Sequence, residues 1–202
     1  MELAAEVTAL LALTAIRNQD KIGLILFSDQ IVKYIPPRKG RDSVMRLVRE
    51  VLAAEDDAKG GTDIAEALKF LNSVQKRRAV VFLVSDFLRT SQTSQTFQTF
   101  EKLLRATSRH HDMVCVPVSD PAERELPDVG LVELEDPETG ELVLVDTSSA
   151  AVRKRFAATA SEESEELKRF FLKTGIDTLT IATDRPYIDE VRGLFKRRAR
   201  KR

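Results

Sequence analysis

Short apolar runs that stop abruptly at polar residues constrain the fold of this chain more than any other feature. "IGLILF" (22–27) and "AVVFLV" (79–84) each hold six residues without a polar side chain. A strand covered on both faces is apolar throughout, whereas a strand with one face in water alternates. The two segments therefore predict buried strands of a largely parallel sheet.

Helical patterns lie between the predicted strands. Residues 3–16 and 44–52, for example, repeat apolar side chains at helical spacing. Strands that alternate with helices predict an α/β fold with a mostly parallel sheet flanked by helices. Two alternating runs around "DPETG" predict an added β-hairpin near 131–145. With no internal repeat and no linker, we expect a single domain over 1–202.

Composition narrows the classes of partner and compartment. The 32 basic residues balance 32 acidic ones, which argues against a specific nucleic acid as the main partner. The one cysteine, Cys115, excludes an internal disulfide, and its apolar neighbours predict a buried, inert thiol in a reducing cytoplasm. We expect no transmembrane segment and no signal peptide, because no long apolar run occurs.

The basic residues cluster at the end of the sequence. The segment 192–202 has seven basic residues and no acid. We expect this segment, which includes the basic tail 196–202, to be frayed and solvated. Binding to nucleic acid, acidic lipids or an acidic partner is the alternative.

Oxygen-bearing side chains gather where predicted strands end and a helix begins. Thr62 and Asp63 precede one helix, and Ser85 and Asp86 follow the run 79–84. Ligands of such sheets bind at the carboxyl ends of the strands, and hydroxyl and carboxylate oxygens suit Mg²⁺. Alternatively, Thr62 or Asp63 only caps its helix, and Asp86 only caps the next turn. Asp29 is either a carboxylate behind the site or a turn residue.

Several enzyme chemistries lack their motifs. There is no GxGxxG, no GxxxxGK[ST] and no GxSxG. The two histidines, His110 and His111, are adjacent near a predicted helix end, where neighbouring side chains point apart, so we do not expect them to hold a metal together. These observations favour a protein that is not an enzyme.

Two motifs resemble loops of the von Willebrand factor type A domain. "GGTDIAEAL" and "VVFLVSDF" are similar to its second and third loops, in which a Thr and an Asp help to hold a divalent cation. Longer segments, above all "ELPDVGLVELEDPETGE", resemble the bacterial family called domain of unknown function 58, often encoded beside MoxR-type AAA+ ATPases. The resemblance implies a three-layer, Rossmann-like sheet. It also implies a metal-ion-dependent adhesion site with Thr62 and Asp86 as ligands and Asp63, Ser85 and Asp29 around them.

One part of that family pattern does not occur in this chain. The type A domain opens with a strand ending in Asp-x-Ser-x-Ser, and residue 1 falls inside the helix that should follow it. We therefore expect an N-terminally truncated domain with a partial site that binds Mg²⁺ weakly or not at all. Strands 22–27 and 80–84 are expected to flank the gap, which favours self-association.

Three functions remain open. The first is a non-enzymatic protein–protein interaction module that works with a MoxR-type AAA+ ATPase. The alternative is a metal-dependent hydrolase or phosphotransfer enzyme, which would need several clustered carboxylates or a nucleophile. The third is a folded remnant that binds no metal.

Overall fold

The computed structural model describes the backbone of residues 2–54, 61–87, 94–135 and 142–200. The chain divides into two compact units. The first comprises 1–79 and 89–110, and the second comprises 80–88 and 111–202. Neither unit is one continuous stretch of sequence.

In the residues that the structure describes, the first unit contains four helices and one antiparallel strand pair. Its elements are α1 (Glu2–Arg17), β1 (Ile22–Phe27), β2 (Ile31–Arg38), α2 (Arg41–Ala53), α3 (Ile64–Val74) and α4 (Ser94–His110). β1 pairs with β2, and Ile25 lies opposite Tyr34. Antiparallel pairing follows from the short connection, because a parallel partner needs a crossover of a dozen or more residues.

The core of the first unit is aliphatic. Ala12, Ile35, Val44 and Leu47 are buried together, with half-buried side chains from α1, α2 and β1 around them. Helices α3 and α4 are joined by a polar contact, in which the Asn72 side-chain amide donates to the Thr107 hydroxyl over 2.8 Å. Thr107 is fully buried and itself donates to a carbonyl one turn earlier in α4, so its oxygen is satisfied.

The second unit is built around a parallel sheet. Its elements are β3 (Val80–Ser85), β4 (Asp112–Ser119), β5 (Leu131–Glu135), β6 (Leu142–Asp146), α5 (Ala150–Thr174), β7 (Asp177–Thr178), β8 (Ile181–Ala182) and α6 (Ile188–Arg200). The strand order is β3-β4-β7, and β8 pairs with the later part of β4. Val80 lies opposite Asp112, and Ser85 lies opposite Pro117.

Strand β4 is the centre of that sheet, because it has partners on both sides. Val114, Cys115 and Val116 have no exposed surface. This explains why "MVCVPV" has no polar side chain. α6 covers the sheet with Val191 and Leu194, both buried.

The structure confirms a mixed α/β fold and the β-hairpin, whose strands are β5 and β6. The hairpin turn lies outside the described residues. The prediction of a mostly parallel sheet holds for β3, β4, β7 and β8, whereas β1–β2 and β5–β6 are antiparallel. The expected tail 196–202 also differs, since α6 continues through Arg200.

Within the described part of the chain, we find no helix whose length and hydropathy would let it cross a membrane.

Candidate functional site

The end of β3 places an acidic side chain at the carboxyl edge of the parallel sheet. The Ser85 hydroxyl donates to Asp86 Oδ1 over 3.3 Å and accepts the backbone N–H of Phe87 over 3.1 Å. Asp86 is exposed. The serine therefore turns the chain at the strand end while the carboxylate stays in contact with water.

Phe87 fixes the backbone that follows Asp86. Its φ of 57° lies in the left-handed region, which costs a residue with a Cβ about 1–2 kcal/mol. The ring is 7% exposed and meets Phe171 of α5 edge-to-face, with 5.3 Å between ring centroids. This buried contact offsets the backbone cost, and it holds Asp86 at a defined place. Sequence reasoning did not single out Phe87.

A second Ser-Asp pair ends the neighbouring strand, and sequence reasoning missed it. Ser119 closes β4, and its hydroxyl accepts from Arg124 Nη2 over 2.6 Å. Asp120 Oδ2 accepts from the Thr183 hydroxyl over 2.8 Å. Because β3 and β4 are parallel neighbours, both pairs lie at the same edge. The repeated "VSD" at 84–86 and 118–120 was the available signal.

The first unit holds the other predicted site residues. Asp63 is the N-cap of α3, and its Oδ1 accepts the Glu66 N–H over 2.9 Å. Its own N–H donates to the Ser28 carbonyl over 2.8 Å, which joins the turn after β1 to the start of α3. Asp29 is an exposed residue of that turn and accepts the Ser28 hydroxyl over 2.9 Å. Asp63 therefore caps α3, and Asp29 lies in the turn after β1.

Thr62 is exposed immediately before the cap residue. The structure thus brings Asp63 to the turn that contains Asp29, and it brings Ser85 to Asp86. Thr62 belongs to the first unit and Asp86 to the second.

The donor atoms suit Mg²⁺ in kind but not in number. A threonine hydroxyl and an aspartate carboxylate are hard oxygen ligands, and Mg²⁺ takes six ligands in octahedral geometry. Over the ranges that the structure describes, no group of three or more His, Cys, Asp or Glu is placed to hold a metal. Asp86 would leave most of the coordination to water.

The cysteine and the two histidines lie at or next to elements of the fold. Burial raises the pKa of the Cys115 thiol from 9.0 to about 12, so the thiol is protonated near neutral pH. His110 ends α4, and its Nε2 lies 3.0 Å from the Lys76 carbonyl oxygen. His111 is 1% exposed. It lies in the bend between the end of α4 and the first residue of β4.

Fold and site together define an α/β protein in which two neighbouring parallel strands end in Ser-Asp pairs at the same edge of the sheet. The chain matches the family described as protein of unknown function DUF58 over residues 1–166, and it belongs to that family.

Three proteins to which this chain is similar come from mycobacteria. An uncharacterized protein from Mycobacterium avium is 30% identical over 167 residues, which are 82% of this chain and 94% of that relative. Uncharacterized proteins from Mycobacterium bovis and Mycobacterium tuberculosis are 28% identical over 200 residues. The match covers 98% of this chain but 60% of those relatives, so the chain spans less than two thirds of their length.

A solved structure, that of an uncharacterized membrane spanning protein from Vibrio fischeri, aligns over 96% of this chain and 82% of its own. The identity is 15% and the TM-score is 0.25, which is too low to carry an argument.

Proposed function

We propose that this chain is a non-enzymatic protein–protein interaction module with a partial metal-ion-dependent adhesion site. In this proposal the fold is three-layered and related to the von Willebrand factor type A domain, and the partner is a MoxR-type AAA+ ATPase. The observation that carries the proposal is Asp86, an exposed carboxylate at the end of β3 beside the buried Phe87.

A carboxylate in a fixed loop suits recognition. Ser85 and Phe87 order the backbone on both sides of Asp86, so little conformational entropy is lost when a partner binds it. Asp86 would bind a basic side chain of the partner directly, or share a hydrated cation with it. The neighbouring strand end, with Asp120 and Arg124, adds charges of both signs to the same edge.

Binding between the purified chain and a MoxR-type ATPase encoded in the same genome tests the proposal. Biolayer interferometry should be run with and without Mg²⁺ and ATP. We expect saturable binding that Asp86→Ala weakens about tenfold, which corresponds to about 1.4 kcal/mol. Glu163→Ala, which removes an exposed acid in α5, is the matched control and should bind like the unaltered chain.

Two results would count against the proposal. Binding that is the same for Asp86→Ala and Glu163→Ala would exclude the β3 end as the contact. Turnover of phosphatase, esterase or ATPase substrates that disappears with Thr62→Ala or Asp86→Ala would favour the hydrolase alternative.

A further inference from the structure

The hairpin of β5 and β6 exposes apolar side chains on both of its faces. Val132 lies opposite Val145, and Leu134 lies opposite Val143, so one face is entirely aliphatic. Leu144 on the other face is 66% exposed. We define the hairpin surface as the face that carries the exposed residues Leu131, Glu133, Leu142 and Leu144. Contiguous exposed apolar side chains of this kind mark interaction sites.

Acidic residues accompany the hairpin surface. The sequence from 126 to 146 contains seven Asp and Glu and no Lys or Arg. Glu133 and Asp146 are exposed on the described strands. An acidic apolar surface is repelled by anionic lipids and nucleic acids. Its chemistry fits an apolar segment with basic side chains.

α6 carries exposed apolar and basic side chains, which are complementary to the acidic, apolar hairpin. Val191 and Leu194 are buried, whereas Ile188 is 49% and Phe195 38% exposed. Arg192 lies between these two at helical spacing, and its side chain is 71% exposed. We define the helix surface as the exposed residues Ile188, Arg192 and Lys196 with the adjacent Arg197; Phe195 contacts Phe82 of β3 and is not part of it.

We propose that the hairpin surface of one copy binds the helix surface of a second copy. Both surfaces are exposed within a single chain, so they do not cover each other. The exposed acids Glu133 and Asp146 of the hairpin are opposite in charge to the exposed Arg192, Lys196 and Arg197 of the helix surface. The net charge of the whole chain is zero, so two copies do not repel each other overall.

The contact joins two different surfaces, and a two-fold axis would repeat it. The hairpin surface of each copy then contacts the helix surface of the other copy, and these two equivalent contacts close the assembly as a dimer. The ion pairs are exposed, so added salt screens them and weakens the dimer.

Light scattering after size exclusion, over a dilution series at low and high ionic strength, tests the dimer. We expect a mass that rises with concentration and a dissociation constant that rises with salt. Glu133→Lys and Arg192→Glu should each raise that constant about tenfold. Leu144→Ser should also weaken the dimer by removing apolar area. Glu163→Lys makes the same charge change on α5 and should leave the constant unaltered.

An equimolar mixture of Glu133→Lys and Arg192→Glu separates the proposed contact from unrelated association. In the mixed dimer, Lys at position 133 of one copy faces Glu at position 192 of the other. The second contact pairs the natural Glu133 and Arg192. The mixture should therefore dimerise better than either variant alone. A monomer at every concentration overturns the proposal, even if the chain then binds acidic vesicles or nucleic acid. Association that survives both reversals overturns it as well.

Discussion

Arg198 in α6 forms an ion pair with Asp112, the first residue of β4. Its Nη1 also lies 3.3 Å from Oδ2 of Asp177, the first residue of β7, without hydrogen-bond geometry. The Arg198 side chain is 16% exposed. One guanidinium thus joins a helix to the amino ends of two neighbouring parallel strands.

Removing that guanidinium should destabilise the second unit. Arg198→Ala leaves two carboxylates without their shared cation, so we expect the free energy of unfolding to fall by about 2 kcal/mol. Arg198→Lys should recover only part of that free energy, because an ammonium group lacks the planar guanidinium that reaches Asp112 and Asp177 together. Urea denaturation measures both. Arg197→Ala, on the exposed side of α6, is the control, and equal losses for Arg197 and Arg198 would contradict this account.

Replacement of the α3 cap tests whether Asp63 is structural. Asp63→Ala should lower the free energy of unfolding by about 1 kcal/mol, because the Glu66 N–H loses its acceptor. Asp63→Asn keeps an acceptor and should cost little. Thr62→Ala, one residue earlier, should change stability by less than about 0.5 kcal/mol. A loss with Asp63→Asn as large as with Asp63→Ala would show that the carboxylate charge matters more than the cap.

Two glycines should respond to alanine in opposite directions. A Cβ at Gly23 would lie 2.8 Å from the Ile35 carbonyl oxygen and 3.0 Å from the Pro37 nitrogen, so β1 and β2 would have to move apart. We expect Gly23→Ala to cost about 1–3 kcal/mol. At Gly193 in α6, the nearest atom is the end of the Arg197 side chain at 3.4 Å. Gly193→Ala should therefore stabilise the helix by up to about 1 kcal/mol. Thermal unfolding of both variants checks the sign.

Alkaline pH should reveal the buried thiol. The pKa of Cys115 is raised to about 12 in the folded chain, and its ordinary value is 9.0. Stability from this group is therefore complete below pH 9.0 and is lost as the pH rises toward 12, because the unfolded state ionises first. The unaltered chain should lose up to about 1.4 kcal/mol per pH unit more than Cys115→Ala in that window. Parallel slopes of unfolding free energy against pH for the two proteins would refute this.

Magnesium should bind this chain weakly at most. At the end of β3 the exposed carboxylate is that of Asp86, and water would have to supply most of the other ligands. Isothermal titration calorimetry with Mg²⁺ and Mn²⁺ should show no micromolar one-site isotherm. An isotherm that Asp86→Ala abolishes and Glu163→Ala preserves would prove the expectation wrong.

Local patterns predicted the elements better than their pairing. The apolar run before Ser85 and the cap at Asp63 depend on adjacent residues, so the sequence alone was sufficient for both. The partner of β1 depends on the length of the connection after Phe27. The prediction of one mostly parallel sheet did not take that short connection into account. The contact of Arg198 with Asp112 spans 86 residues along the chain, and no sequence pattern near either residue indicates it.

The candidate site shows the same difference between local patterns and long-range contacts. Asp86 was found because a charge follows an apolar run, whereas Asp120 follows a run of the same length, "MVCVPV", in the same way and was missed. Phe87 could not have been found from its neighbours, because its left-handed backbone is offset by a contact with Phe171, far along the sequence.

The division of the chain into units also determines when each unit can fold during synthesis. β3 leaves the ribosome between α3 and α4, which both belong to the other unit. Its first pairing partner, Asp112 opposite Val80, is synthesised 32 residues later. The first unit can be completed as soon as His110 has emerged, while β3 still waits for β4. During that interval an apolar strand has no sheet to join, and this is the stage of synthesis at which a chaperone would protect the nascent chain from aggregation.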